Sequence, residues 1–568
     1  MTFSKRFPVL FLCAGAVCLF GQNQADLVLR NGKVVTMDPA RPQAQAVAVR
    51  GGRILAVGSE KEIALLIGPS TKVVDLGGKL AIPGFIEGHG HFMGVGEAQV
   101  NLKLGKARTW DEIVAMVAAA AKNAPPGTWI LGGGFHQSKW DKVPQPNVQG
   151  FPVHAELSKV SPNNPVLLTH ASGHAAMVNA AAMKQAEISA QTPDPAGGQI
   201  LKDLSGQPTG LLQEKAQGLV QPAYRAYLSK RSPAEVESQA RYRVELAVRE
   251  SAANGITTFE DAGSSFETVD LFRRMAEEGK LGIRLWVMLR EPNARLAQGI
   301  QRYRIQDAGD HHLTVRAIKR AMDGALGSRG AWMLEPYSDL PGSSGINTED
   351  PADIRETARI AIANGFQLCV HAIGDRANRE VLNIYESEFQ KNPNKRGLRW
   401  RVEHAQHLNP ADIPRFGKLG VIAAMQGIHC TSDAPYVIPR LGQKRAEEGA
   451  YPWRSLLDSG AVIANGTDAP VEDVNPIASF TASVTRRTED GSTFFAAQAM
   501  TRGEALKSYT LANAYAAFEE DQKGSLTPGK LADITVLSKD IMTVPDADLN
   551  ATQVVYTIVG GKFAYSSR

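Results

Sequence analysis

A rhythm of short apolar runs, rich in β-branched residues and separated by stretches of helical character, constrains this chain more than any other feature. The runs fall at 80–87, 256–260, 283–289, 315–321, 366–371, 398–404, 421–426 and 461–466. Helical patterns lie between most of them, at 235–254, 267–279, 353–364, 377–390 and 410–418. Strands alternating with helices bury both faces of a sheet when the strands run parallel and the helices serve as crossovers. Eight such units predict an α/β chain folded as a (β/α)8 TIM barrel. The spacing suits that unit except between the first two runs, where roughly 165 residues intervene. A connection so long needs structure of its own. An inserted subdomain is therefore expected at about 95–232, with a helix over 110–123 and strands at WILGGG and PVLLTH.

The two ends of the chain read differently. ADLVLRNGKVVTMD, AVAVRGGRILAVG and KVVDLGGKLAIPG are short strands divided by glycine-containing turns, and KLADITVLSKD and VVYTIVGGKFAYS repeat the style at the C-terminus. The simplest arrangement is a small β-sandwich assembled from 22–80 and 524–568, with the barrel, 81–523, inserted between its halves.

Lys5 and Arg6 precede an apolar run at 7–20, the pattern of a secretory signal over 1–21. The run is short for a membrane span, which needs about 20 apolar residues. An exported protein, periplasmic or secreted, with no stable membrane insertion after cleavage is the expectation; an uncleaved anchor is the alternative. Cys13 and Cys18 lie in this leader, which leaves Cys369 and Cys430, too few for a disulfide framework and suited to burial. The formal net charge is +4 with acids and bases intermixed, so no basic stripe offers itself to nucleic acid. A small-molecule substrate is the expected partner, and self-association is left open.

A barrel of this kind places its working residues at the C-terminal ends of its strands. His89 and His91 follow the first run in IPGFIEGHGHF. In extended chain, residues i and i+2 point the same way, so the pair forms two imidazoles aimed at one point, suited to a divalent metal. The other strand ends supply Lys319 in TVRAIKRAMDGALGS, His371 in LCVHAIGDRAN, His404 in RVEHAQH and Asp468 in NGTDAP. Each alone has an ordinary reading: Lys319 as a salt-bridged core lysine, Asp468 as a turn or cap. Six at strand ends together point to one site.

These motifs resemble the amidohydrolase superfamily, PGFIEGHGHF carrying its signature, and the Lys319–Ser328 stretch, HAIGDRAN, RVEHAQH and GTDAPVEDVNP resemble its YtcJ-like subgroup, which includes N-substituted formamide deformylases. The resemblance spans roughly 26–565. It implies His89, His91, His371, His404 and Asp468 as metal ligands, Asp468 also as the catalytic proton shuttle, and Lys319 as a lysine that is N6-carboxylated in several relatives and bridges two metals. It implies zinc, as one ion or two. His174, His429 and Asp433 resemble subgroup positions that contact substrate. The chain departs from the pattern at Glu87-Gly88, at Gly427 and at His136, which stands in GGGFHQ and is a further substrate-pocket candidate. Glu260 and Asp261, at the end of the second run, are candidates for orienting ligands.

The activity these residues suggest is hydrolysis of an amide-like C–N bond, in an N-substituted formamide or cyclic amide, by metal-activated water. Ester, lactone or carbamate hydrolysis by the same machinery is an alternative. A non-catalytic exported barrel that binds a small molecule is another.

Overall fold

A computed structural model describes residues 24–395 and 397–567, so the expected leader with Cys13 and Cys18 lies outside the described residues. The central sheet is the parallel eight-strand barrel. Its strands are β1 (Phe85–Gly90), β2 (Ile256–Ser264), β3 (Arg284–Leu289), β4 (Leu313–Ala321), β5 (Gln367–Ala372), β6 (Arg401–His404), β7 (Ile422–Gln426) and β8 (Ile463–Gly466). Each pairs in parallel with the next, from β1 through β8. The crossover helices have readable boundaries. Ser232 forms a capping box ahead of Pro233–Ala253, and Gly365, with φ 69°, ends Pro351–Asn364.

The run at 80–87 is not one strand. Leu80–Pro83 belongs to the sandwich, paired with Lys33–Val35 and Ile534–Leu537, and the barrel strand begins at Phe85. Gly84 is the junction, its N–H donated to Asp533 O at 2.9 Å. A continuous apolar run hides the change of sheet because both halves are buried. The barrel therefore starts a few residues after 81. The strand expected at 398–404 is also shorter, covering Arg401–His404.

Between β1 and β8 the described residues show no ladder. Side chains and strand extensions close the seam instead. Asn513 Nδ2 donates to Ile86 O (2.6 Å) and Asn465 O (2.8 Å), and its Oδ1 accepts the Asn465 N–H (3.1 Å). Further up, Asp468 N–H meets His89 O at 2.8 Å and His91 N–H meets Ala469 O at 2.7 Å. Gly88 is needed here: a Cβ would lie 2.6 Å from both Asn465 O and Asn513 Oδ1.

The segment between β1 and β2 folds as a six-strand sheet in the order Gly198–Lys202, Pro208–Glu214, Ala175–Val178, Val166–His170, Ile130–Phe135, Leu102–Lys103. The helix Trp110–Asn123 packs on it and shares a core with Phe135, Leu157 and Leu168. Both termini build the sandwich. A four-strand sheet from the N-terminal segment faces a six-strand sheet that also contains Ile534–Leu537, Val554–Val559 and Lys562–Ser566. Leu27, Val47, Ile534 and Ile558 meet between them. The sandwich is tied to the barrel by a buried pair: Asp533 receives Arg284 Nε at 2.8 Å and Nη2 at 3.0 Å. Among the described residues no helix is long and apolar enough to cross a membrane, and Cys369 and Cys430 are free and buried.

Candidate metal centre

The site grows from the strand ends and from irregular backbone just beyond them. Alternation along β6 turns Arg401 and Glu403 into the barrel, and would turn His404 out. The backbone is left-handed at His404 (φ 76°) and Ala405 (φ 43°), and Asp468, after β8, has φ 58°. Such conformations cost about 1–3 kcal/mol each in non-glycine residues and cluster at working sites. Here they stand at two of the strand-end candidates.

Two of the histidines are held in a definite tautomer. Glu403, fully buried, accepts the Nδ1–H of His89. His89 Nε2 then faces Lys319 Nζ at 3.3 Å and Asp468 Oδ1 at 3.6 Å. His404 Nδ1–H goes to Gln426 Oε1 at 2.8 Å, and the Gln426 amide is oriented by its own bond to Ala424 O. In both rings the Nε2 lone pair is left for an electrophile. His91 Nε2 lies 3.2 Å from Asp468 Oδ1. Next to it, Phe92 N–H is accepted by Asp261, which steadies the turn after β1. The rings of His404 and His371 are 4.5 Å apart, so the β5 histidine joins the group.

His429 is placed beside this set with the opposite tautomer. Its ligand atom lies within 4.8 Å of those of His404 and Asp468. Its Nδ1, however, accepts from Gln406 Nε2 at 2.9 Å. The proton therefore sits on Nε2, which is buried without a partner. That is a hydrogen-bond donor rather than a metal ligand.

Burial dominates the electrostatics. It pushes His89, His371 and His404 well below the ordinary histidine range, reinforced by the neighbouring cationic groups. These rings are neutral and ligand-competent. Burial also lowers the Lys319 ammonium to about 8. Asp468 is buried, which works to raise its carboxyl, but the hydrogen bond from His91 and the electrostatic pull of the imidazoles around it hold it far below the usual carboxylate range.

The donors fit a divalent cation. His371 Nε2 is buried with no hydrogen-bond partner, an expensive state unless something satisfies it. Neutral imidazoles and one carboxylate around a common space are what such an ion takes.

The remaining candidates lie at different distances from this centre. The ring of His174 sits 4.9 Å from that of His371, and its Nδ1–H is held by Glu214 Oε2 at 2.8 Å. Burial works against charge on this ring, but Glu214, with Asp323 and Asp468 beyond it, raises it above the usual histidine range. His136 comes from the insertion, stacks on Tyr436 at 5.2 Å, and keeps a buried Nε2 without a partner. Asp433 accepts the hydroxyls of Tyr436 and Tyr451, which occupy both its oxygens.

Several contributors escaped the sequence reading. Arg401 binds Glu403, Glu260 and Gly88 O in a fully buried network behind His89. Asp323, 3.5 Å from His371 Nε2, is held by the N–H groups of Trp332, Ile373 and Gly374. Arg401 and Glu403, two residues apart in an apolar strand, were the available signal: charge on the inner face of a barrel strand needs a reason.

Comparison with known proteins agrees with this geometry. A model of the amidohydrolase family matches residues 72–565. Protein LONG AFTER FAR-RED 3 of Arabidopsis thaliana is 34% identical over 95% of this chain and 92% of its own. The N-substituted formamide deformylase of Arthrobacter pascens is 30% identical over 95% of this chain and 98% of its own. The fold is shared with the crystal structure of an uncharacterized metal-dependent hydrolase from Pyrococcus horikoshii, with TM-score 0.72 at 23% identity over 92% of this chain and 99% of that one. Matched by the family model from the sandwich to the last strand, and by relatives over nearly their whole length, the chain belongs to the amidohydrolase family.

Proposed function

We propose that this protein hydrolyses a carbon–nitrogen bond in a small amide-like molecule, an N-substituted formamide or cyclic amide. The family implies a divalent metal. The observation that carries the reading is the two groups that share Asp468, His89–His91–Asp468 and His404–His429–Asp468, with the His371 ring 4.5 Å from that of His404 and its Nε2 buried without a hydrogen-bond partner. The imidazole-rich set suits zinc. Lys319 completes it as a carbamate: its lowered ammonium yields free amine near neutral pH, and the carboxylated form replaces a misplaced cation with a ligand. The whole-length likeness to a formamide deformylase supports the C–N bond as target.

A divalent ion at this centre would acidify water and polarise a carbonyl. Asp468, held as the anion, takes the proton of the attacking water and passes it to the leaving nitrogen. His429 donates Nε2–H towards the carbonyl oxygen as negative charge develops there.

The test joins chelation to one substitution. Removing metal abolishes hydrolysis of a formamide and restoring zinc returns it. Asp468→Asn lowers kcat by about 10²–10⁴-fold while metal content stays near that of the parent. Full activity in the variant would sink the role given to Asp468. A panel in which esters, lactones or carbamates are cleaved and amides are not would move the reading to those bonds.

A further inference from the structure

Glu214 ends an insertion strand in a conformation that glutamate seldom takes, with φ 51° and ψ −126°. Its N–H is bonded to the carbonyl of His174 at 2.9 Å. Its side chain is 4% exposed, with Oε2 on His174 Nδ1 and Oε1 buried without a partner. The barrel is cut away to receive it. A Cβ at Gly324 would lie 2.0 Å from Glu214 Oε1, and one at Gly330 2.3 Å. Neither glycine has a positive φ, so space, not backbone freedom, is what they supply. Both lie in the loop that follows β4 and Lys319. Gln213 Nε2 donates to Ser328 O in the same loop at 3.1 Å.

A buried carboxylate on strained backbone is a costly way to dock a subdomain. Desolvation of the charge and the left-handed φ both cost stability. Apolar contacts would hold the insertion more cheaply. What the carboxylate secures is the ring of His174, 4.9 Å from that of His371. A carboxylate can only accept from Nδ1–H, so that proton is held in place and Nε2 is the nitrogen turned away from Glu214.

We propose that Glu214 is a positioning residue: it holds His174 so that Nε2 contacts the substrate beside the β5 ligand, making the inserted subdomain part of the reaction site rather than a cover. The metal centre and the substrate in this proposal rest on the function proposed above; the hold of Glu214 on the His174 ring does not.

The test is a cycle of Glu214→Ala, Glu214→Gln, His174→Gln and the double variant Glu214→Ala/His174→Gln, with ¹⁵N spectroscopy of the histidine rings. Glu214→Ala lowers kcat/KM by about a hundredfold with unchanged zinc content. Glu214→Gln, whose amide oxygen still accepts Nδ1–H, recovers most of the loss. In the His174→Gln background Glu214→Ala has no further effect. The His174 Nδ1 proton is present in the parent and lost in Glu214→Ala, a readout independent of turnover. Additive losses, a fall in zinc content equal to the fall in rate, or a His174 ring without the Nδ1 proton would overturn the proposal. Failure of the parent to cleave any amide would count against the proposed function and leave the ring measurement to decide on Glu214.

Discussion

At the scale of single residues, the role of each histidine is set by what holds its other nitrogen. Glu403 and Gln426 accept hydrogen bonds from the Nδ1–H of His89 and His404 and turn the other nitrogens out as acceptors; Gln406 donates a hydrogen bond to His429 Nδ1 and leaves its Nε2–H as a donor. This division was not legible in the sequence, where all these residues are simply histidines near strand ends. His89, His371 and His404 could be named because barrel geometry sends strand-end residues to one place. Their partners could not, because pairing across strands depends on register, as in His371 opposite Glu403. A pH consequence belongs here. Metal and proton compete for the same imidazole lone pair. All three rings are held below the ordinary histidine value of about 6.5, by burial first. Protons therefore win only at lower pH, and half of the bound zinc is lost below pH 6.5 in a titration followed by metal analysis. Half-loss at or above that value would contradict the assignment of neutral, buried ligands.

At the scale of elements, the seam between β1 and β8 is the weak line of the barrel. Both strands carry site residues just past their ends, so the seam must be fixed without a regular ladder. Asn513 does this from the helix Leu511–Ala516, beside a Gly88 that leaves it room. Asn513→Ala leaves two buried carbonyls and one N–H without that partner. At about 1–3 kcal/mol for an unsatisfied buried group, the variant should lose at least about 2 kcal/mol in urea unfolding. A loss within error of zero would mean that the strand extensions alone close the barrel. The rhythm of strands and helices was readable because each element buries a distinct face. It failed at 80–87, where one apolar run serves two sheets and Gly84 gave too faint a break. Asn513 gave no signal at all, since a single polar residue in an apolar helix has many innocent explanations.

At the scale of the whole molecule, three units share the work. The sandwich drawn from both termini is anchored through Arg284 and Asp533 under the barrel, the barrel carries the candidate ligands, and the insertion brings His136, His174 and Glu214 to the other side. The first two units could be seen in the sequence because strand-rich ends flank an alternating middle. The fold of the insertion could not. Its strands pair out of chain order, and its link to the site runs through a carboxylate that no spacing marks. The central claim, that strand-end side chains from around the barrel form one divalent-metal centre, is tested most directly by anomalous diffraction at the zinc edge from crystals of zinc-loaded protein. The account predicts an anomalous peak enclosed by His89, His91, His371, His404 and Asp468, with density for a carbamate on Lys319. A map with no peak among these residues, or with zinc held elsewhere while they pair with one another, would contradict it.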